Sequence, residues 1–316
     1  MLCLFFSSMQ KPKVGVVVVT HNSQDFIYSC LKSVIDNTFP DLEIVVVDNA
    51  SSDSTISVIK KNFKVKIIKN EKGLGFVAAN NIGIKFLIKK GMGYILQINP
   101  DAISSPELVE KLLGVFKKDP KIGVCGCIIT YSGKRGKVWF AGGYFNRLFC
   151  YTRHKFMDKE LKDIKPKSGY TDFITGACMM IDANIFKKVR FSPDKYFLYF
   201  EDVFFCENVK KAGFACFLLA EPLVSHIVSA TIGIAQTNKM TPVRAYFFAR
   251  NPLLYIKNDV KGYLKITNLI GQFFIRLPYY SYKMVKEGDV KSIYFYYKGI
   301  VDSIVSGSSN FFLNKP

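Results

Sequence analysis

The chain has 316 residues, enough for one large domain or two smaller ones. Its makeup, 49% hydrophobic and 22% charged, is that of a packed globular protein and excludes a disordered one. A solvated lysine surface accounts for part of the formal charge of +19, and the rest implies a polyanionic neighbour: nucleic acid, an acidic membrane surface or a phosphorylated substrate.

Residues 1–13 read as an N-terminal extension. Its apolar patch, Leu2 to Phe6, lacks a preceding basic region and is too short for a signal peptide. Val14 to Val19 is a continuous β-branched run, the pattern of a strand buried on both faces. The polar Thr20-His21-Asn22-Ser23 can cap a helix. The spacing of Ile27, Cys30, Leu31, Val34 and Ile35 carries that helix to about Asn37. Phe39-Pro40-Asp41 breaks it, and Glu43 to Val47 is a second strand ending at Asp48. Strand, helix and strand in so short a space make a βαβ unit with a parallel pair. Asn49 to Asp53 is a second loop of capping residues, followed by a short helix through Lys61 and a third strand, Val65 to Ile68. In the third polar loop, Asn70 to Gly75, the glycines let backbone approach a ligand. A helix from about Phe76 to Lys90 stops at Gly91. Tyr94 to Ile98 is the fourth strand, and Pro100, with no N–H to give, ends its ladder. Ser105-Pro106-Glu107 opens another helix with Pro at the first helical position.

Four strands thus end in polar loops on one sheet edge, at Thr20, Asp48, Asn70 and Asn99. The alternation predicts an α/β domain over residues 14–235 with a mainly parallel sheet and flanking helices, Rossmann-like in layout. Ligands of such sheets bind at that edge. Asp101 lies just past the fourth strand, where an exposed carboxylate can hold a divalent cation and the cation a diphosphate.

Gly123 to Thr130 reads as a strand, and Tyr131 to Lys167 as an irregular segment near the site. Ile174 to Ile181 is a strand in which Gly176 marks a close backbone approach. Phe197 to Asp202 puts two acids directly after an aromatic run, before a helix over Val203 to Ala212 that Gly213 stops. Phe214 to Ala235 comes nearest to a membrane span, but Glu221, Pro222 and His226 break it, leaving buried strands and a site loop. Residues 236–316 are helical, basic and aromatic; these helices either dock on the domain or lie in an anionic membrane interface. The eight cysteines (Cys3, Cys30, Cys125, Cys127, Cys150, Cys178, Cys206, Cys216) form no C-x-x-C and have no His at zinc spacing. They read as buried free thiols of a reducing cytosol.

Several motifs follow one another across residues 14 to 255: Val19-Thr20-His21-Asn22, Val47 to Thr55, Asn70 to Gly83, Asn99-Pro100-Asp101-Ala102, Thr175 to Met179, Phe197 to Asp202, His226 and Arg250-Asn251. In these motifs and their order the chain resembles family 2 glycosyltransferases of GT-A fold, in their rhamnosyltransferase-like branch. The resemblance implies an inverting enzyme. It would move a sugar from a nucleotide-diphosphate donor, UDP- or dTDP-linked, to a hydroxyl of a glycan or lipid-linked acceptor, using Mg2+ or Mn2+. Its location would be cytoplasmic, with the inner face of the cell membrane as the surface the C-terminal helices meet.

By resemblance Asp101 and His226 are the metal ligands. An imidazole beside a carboxylate suits Mn2+, while Asn99 replaces the first acid of the family's Asp-x-Asp-like site. A hydrogen-bonded core histidine is the competing reading of His226. Asp202 is the expected general base, since an acceptor hydroxyl is a poor nucleophile until a carboxylate takes its proton. One base without a protein nucleophile implies a single displacement and inversion. Glu201 would orient Asp202 or bind acceptor hydroxyls; the pair would also suit the start of the helix at Val203. Thr20, Asn22, Asp48, Asn49 and Asp53 are nucleotide-side candidates, with Asp48 accepting the N3–H of uracil or thymine. For Asp53, a plain loop or N-cap role competes. Asn70, Gly73, Gly75 and Asn80 would line the ribose and sugar side, with Asn99 and Asp101 beyond. Gly73-x-Gly75 is no dinucleotide fingerprint, because its third glycine would fall at Ala78. Gly176 and Ala177 would lie beside the acceptor. Arg250 would meet a phosphate or form a helix-surface ion pair. A nucleotidyltransferase would need a glycine-rich basic loop after the first strand, which Thr20-His21-Asn22 is not. A non-enzymatic nucleic-acid-binding module is prompted by charge alone, and no nucleic-acid partner is expected.

Overall fold

The computed structural model describes residues 12–134, 136–227 and 240–305. Its first half alternates β1 (Val14–Thr20), α1 (Ile27–Ile35), β2 (Glu43–Asp48), α2 (Thr55–Asn62), β3 (Lys66–Lys69), α3 (Phe76–Lys89) and β4 (Tyr94–Ile98). These strands pair in parallel, in the spatial order β3-β2-β1-β4. The chain therefore winds outward from β1 to β3 and returns on the other side of β1. The carboxyl ends of β1 and β4 flank the point where winding reverses, which is where open α/β sheets leave a crevice for ligands. All of Val14–Thr20 is buried, which accounts for its unbroken β-branched run. α3 lies hard on this strand: a Cβ on Gly83 would stand 2.4 Å from Val17 Cγ2.

The second half supplies β5 (Ala102–Ser104), α4 (Leu108–Phe116), β6 (Ile122–Tyr131), β7 (Val138–Phe140), β8 (Gly143–Asn146), β9 (Tyr151–His154), β10 (Gly169–Thr171), β11 (Cys178–Asp182), α5 (Glu201–Lys211) and β12 (Ala215–His226). β11 inserts antiparallel between β4 and β6. β12 runs parallel to β6 and carries β10 antiparallel on its far side. β5 and β7 pair with β12 and β6, and β8 and β9 form a separate antiparallel pair. Along the main strand order only β10 and β11 run against the rest, so the sheet is mainly parallel.

The chain ends in α6 (Pro242–Asp259), α7 (Tyr263–Ile270), a π-helical turn (Gly271–Arg276), α8 (Leu277–Lys286) and α9 (Val290–Val305). Thr241 caps α6 by accepting the Arg244 amide at 3.2 Å. Leu253 to Ile256 of α6 enter the same apolar core as the sheet.

Where periodicity was weak, the structure corrects the expectations. α1 has no side-chain cap; the Ser23 carbonyl takes the Phe26 and Ile27 amides instead. Pro106 precedes α4 rather than opening it, and its carbonyl accepts the Thr38 amide. The stretch 131–167 contains β7, β8 and β9, strands too short for alternation to register. Residues 174–177 are not strand, because the chain there turns aside to meet α5. α5 begins at Glu201 rather than Val203. All seven cysteines among the described residues are buried and free. Cys3, the N-terminal extension and the far end of the Phe214–Ala235 stretch lie outside the described residues.

Candidate active site

Asp101 follows β4 and His226 ends β12. Because β5 pairs with the end of β12, His226 stands opposite Ala102 in register. His226 Nε2 and Asp101 Oδ1 lie 2.9 Å apart, and Asn99 Nδ2 is 3.5 Å from the same nitrogen. Asp101 and His226 are buried, at 3% and 5% exposure. Asn99 Oδ1 and His226 Nδ1 are buried without a partner among the described residues. The His226 ring meets Trp139 edge-on at 4.7 Å, and Trp139 in turn meets His154 at 4.8 Å. Burial pushes His154 down to about 4, so it is neutral.

The nucleotide-side candidates sit on the loops after β1, β2 and β3. Asn49 ties these together: its amide donates to the Thr20 carbonyl, and its Oδ1 accepts from Asn70 Nδ2 (3.2 Å) and the Leu74 amide (2.9 Å). Asn22, at φ +48°, accepts the Ser52 amide. Asp53 accepts the Thr55 and Gln24 amides, a turn-and-cap role. Asp48 accepts the Ser51 amide through Oδ2, while its Oδ1 and Thr20 Oγ1 are buried without a partner among the described residues. A Cβ on Gly73 would find only the Asn49 carbonyl oxygen, at 3.9 Å. Gly75, at φ +88°, sits under the Phe197 ring, where a Cβ would clash at 2.4 Å. Asn80 is wholly buried one turn into α3, with Nδ2 on the Phe76 carbonyl and Oδ1 unpartnered.

The two acids begin α5. Asp202 accepts the Gly176 amide through Oδ2 (3.2 Å) and the Val203 amide through Oδ1 (2.8 Å). Glu201 is 6% exposed, and its Oε2 has no partner among the described residues. Burial, reinforced by the neighbouring Asp202, pushes Glu201 up to about 8. Burial also raises Asp202, but the amides it accepts oppose the rise. Both carboxyls are thus raised, Glu201 by burial and the charge of its neighbour, Asp202 by burial against the pull of the amides it accepts.

A short segment joins the acids to the sheet edge. Gly176 gives its amide to Asp202 and its carbonyl to Gln97 Nε2 of β4 (2.7 Å), and the next carbonyl, of Ala177, accepts the Asn99 amide (3.0 Å). Tyr199 is raised by burial and is also under the field of Glu201 and Asp101 together. The hydrogen bonds of Gly176 and Ala177 thus link Asp202 to Asn99, two residues before Asp101. Gly176 and Ala177 are both buried; a Cβ on Gly176 would come 3.1 Å from Gln97 Nε2 and 3.7 Å from Glu201 Oε1.

Arg250 requires correction. It is 0% exposed, and its Nη1 donates to the Lys195 carbonyl and to Asn251 Oδ1. Closed off from solvent, it makes no helix-surface ion pair, while its Nε and Nη2 are buried without a partner among the described residues. Its neighbour does more. Asn251 Nδ2 lies within 2.9 Å of the Tyr196, Leu198 and Tyr199 carbonyls. That run holds Phe197, Tyr199 and Phe200 at φ +55°, +65° and +70°, strained for non-glycine residues, immediately before the acids. Arg250 and Asn251 therefore clamp the run that carries Glu201 and Asp202. Sequence reading named the pair but not this task. It passed over Trp139, whose only signal is that it is the single Trp of the chain. It also passed over Gln97, which looked like a strand residue.

A family model described as glycosyl transferase family 2 matches residues 15–190. An uncharacterized glycosyltransferase of Haemophilus influenzae is 25% identical over 270 residues, which cover 82% of this chain and 79% of that protein. A chondroitin synthase of Pasteurella multocida is 32% identical over 123 residues, 38% of this chain but 12% of that protein. Among solved structures, S. aureus TarS in complex with UDP-GlcNAc has a TM-score of 0.57 at 16% identity, covering 95% of this chain and 82% of that one. GalNAc-T7 with UDP, GalNAc and Mn2+ has a TM-score of 0.56 at 15% identity, covering 87% and 58%. The chain belongs to glycosyl transferase family 2. Its fold is GT-A, and it is a glycosyltransferase.

Proposed function

We propose that the chain is an inverting transferase of the rhamnosyltransferase-like branch, with residues 14–235 as catalytic domain, 1–13 as an extension and 236–316 as a helical appendage. Its donor is a UDP- or dTDP-linked sugar and its acceptor a hydroxyl of a glycan or lipid-linked glycan. The observation that carries the reading is the pair of acids at 201 and 202, of which Asp202 is hydrogen-bonded to Gly176, whose neighbour Ala177 accepts the Asn99 amide at the sheet edge. The TarS and GalNAc-T7 structures, solved with UDP-GlcNAc and with UDP, support a UDP-linked donor. The name of the Pasteurella relative supports a polysaccharide acceptor.

In this reading the donor's base meets Asp48, its ribose and sugar lie along Asn49, Asn70, Gly73 and Gly75, and its diphosphate reaches the crevice between the ends of β1 and β4. Among the described residues no three His, Cys, Asp or Glu gather into a metal-holding group. The donors that do meet are a carboxylate and an imidazole, 2.9 Å apart, a pair that fits a divalent cation sharing the rest of its shell with a diphosphate. Asp101 and His226 would hold it, and it would offset charge on the departing diphosphate. Asp202 takes the acceptor's proton as the hydroxyl attacks. Glu201, protonated, donates a hydrogen bond to the acceptor or to Asp202. With Asp202 as base and no protein nucleophile in this reading, the sugar changes configuration once.

The test is a panel of nucleotide sugars incubated with the protein, with Mn2+, Mg2+ or chelator, read as slow donor hydrolysis. Metal-stimulated hydrolysis of a UDP- or dTDP-sugar is expected. Asp101→Ala should weaken donor binding only when metal is present; equal affinity with and without chelator in the unaltered protein would remove Asp101 as a ligand.

A further inference from the structure

The helices after α6 pack Tyr280, Met284, Ile293, Tyr296 and Ile300 inward but leave a second apolar face outside. On α9 the buried positions are Ser292, Tyr296, Gly299 and Ser303, while Val290, Tyr294, Tyr297, Val301, Ile304 and Val305 are 46–79% exposed. A Cβ on Gly299 would stand 2.3 Å from the Tyr246 carbonyl oxygen, so α9 lies backbone to backbone on α6. The segment before it repeats the pattern. Asn268, Gln272 and Arg276 are buried and donate to the carbonyls of Arg147, Leu148, Phe149, Cys150 and Phe248. Tyr263, Ile266, Ile270 and Phe274 are exposed instead, and Tyr279, Tyr282 and Val285 continue the face along α8.

A helix facing water normally turns its apolar stripe inward. A second apolar face turned outward suits surroundings that are themselves apolar. Small residues at the helix contact are the packing used where lipid surrounds the helices. The exposed tyrosines have the amphipathic rings that settle at a bilayer's headgroup level. No helix of the described residues is long and apolar enough to cross a membrane. Such a face therefore lies in one leaflet's interface rather than spanning. Lys261, Lys265, Lys286 and Lys291 are exposed beside it, and residues 261–305 hold seven Lys and Arg against three acids. A second copy of the chain would bring like charge to that surface, whereas anionic headgroups bring the opposite sign.

We propose that α7, the π-helical turn, α8 and α9 form a monotopic docking face that lies in the interface of an anionic lipid bilayer. It depends on neither the donor nor the acceptor assignment.

The experiment is flotation of the full chain with vesicles of phosphatidylcholine alone or mixed with phosphatidylglycerol, without nucleotide sugar or glycolipid. Binding to the anionic vesicles is expected to exceed binding to neutral ones by about tenfold and to fall with added salt. Phe274→Glu combined with Val301→Glu changes two exposed side chains and should lower binding at least about tenfold with the thermal transition unchanged. Lys265→Glu with Lys291→Glu should remove the anionic preference alone. A chain that floats with neither vesicle overturns the proposal. So does a dimer in solution dispersed by Phe274→Glu, which would assign the face to a second copy.

Discussion

The backbone amide of Gly176 lies 3.2 Å from Asp202 Oδ2, and the opposite side of the same residue is tied to Gln97 in the central sheet. The carboxylate is thus aimed by the sheet itself, not by a free loop. Asp202→Asn is expected to lower kcat by roughly 10²–10⁴ while leaving donor affinity near its original value. Steady-state kinetics with donor-binding calorimetry check both. Full turnover in the variant would end the assignment of the base.

Glu201 gives a pH dependence with a defined sign. Its folded-state value of about 8 lies above the ordinary 4.5. Between these the folded chain holds a proton that the unfolded chain has released, so stability falls as pH rises through the window and levels off above it. Glu201→Gln should flatten that slope. Denaturant midpoints measured across the window decide the matter, and parallel slopes in the two proteins would contradict it.

Asn251 holds the run that precedes the two acids, and on the proposed function it is expected to act on the reaction through that run. Asn251→Ala leaves the Leu198 and Tyr199 carbonyls without the Asn251 donor and the Tyr196 carbonyl with the Leu198 amide alone, at a cost of about 1–3 kcal/mol. The expected signature is a fall in kcat with donor KM little changed and a shifted pH profile, because the surroundings of the 201–202 pair relax. Asn251→Asp should do worse than alanine by setting oxygen against three carbonyls. Lower stability with an unaltered pH profile would leave Asn251 a purely structural part.

Gly75 is the tightest point on the donor side. Gly75→Ala combines φ +88° with a Cβ 2.4 Å from the Phe197 ring. Both stability and turnover should fall. Removing the ring with Phe197→Ala in the same chain should recover part of the loss; strictly additive effects would show that the two residues do not press on each other.

The first half of the sheet was legible because buried parallel strands are written as unbroken runs. Val14 to Val19 and Glu43 to Val47 could be little else, and the polar residues ending them marked the edge. β11 was harder: its insertion between β4 and β6 depends on pairing partners far along the chain. β7 is three residues long, too short for any period, and it carries Trp139 to His226. The left-handed turn at Phe197, Tyr199 and Phe200 has no glycine to announce it. It persists because an amide more than fifty residues away satisfies its carbonyls, a relation with no local trace. The helix-surface ion pair offered for Arg250 failed for a related reason, since its burial depends on the Lys195 carbonyl and Asn251, with no local trace of the former.

Phe197 stacks on Phe247 at 5.5 Å, covers Gly75, and takes the Val77 amide on its carbonyl, four residues before the first acid. The strip proposed to cover the sugar-nucleotide and the strip that carries the two acids are therefore mechanically one piece. On the proposed function, filling the first is expected to set the second, so initial-rate kinetics should show the nucleotide sugar entering ahead of the alcohol.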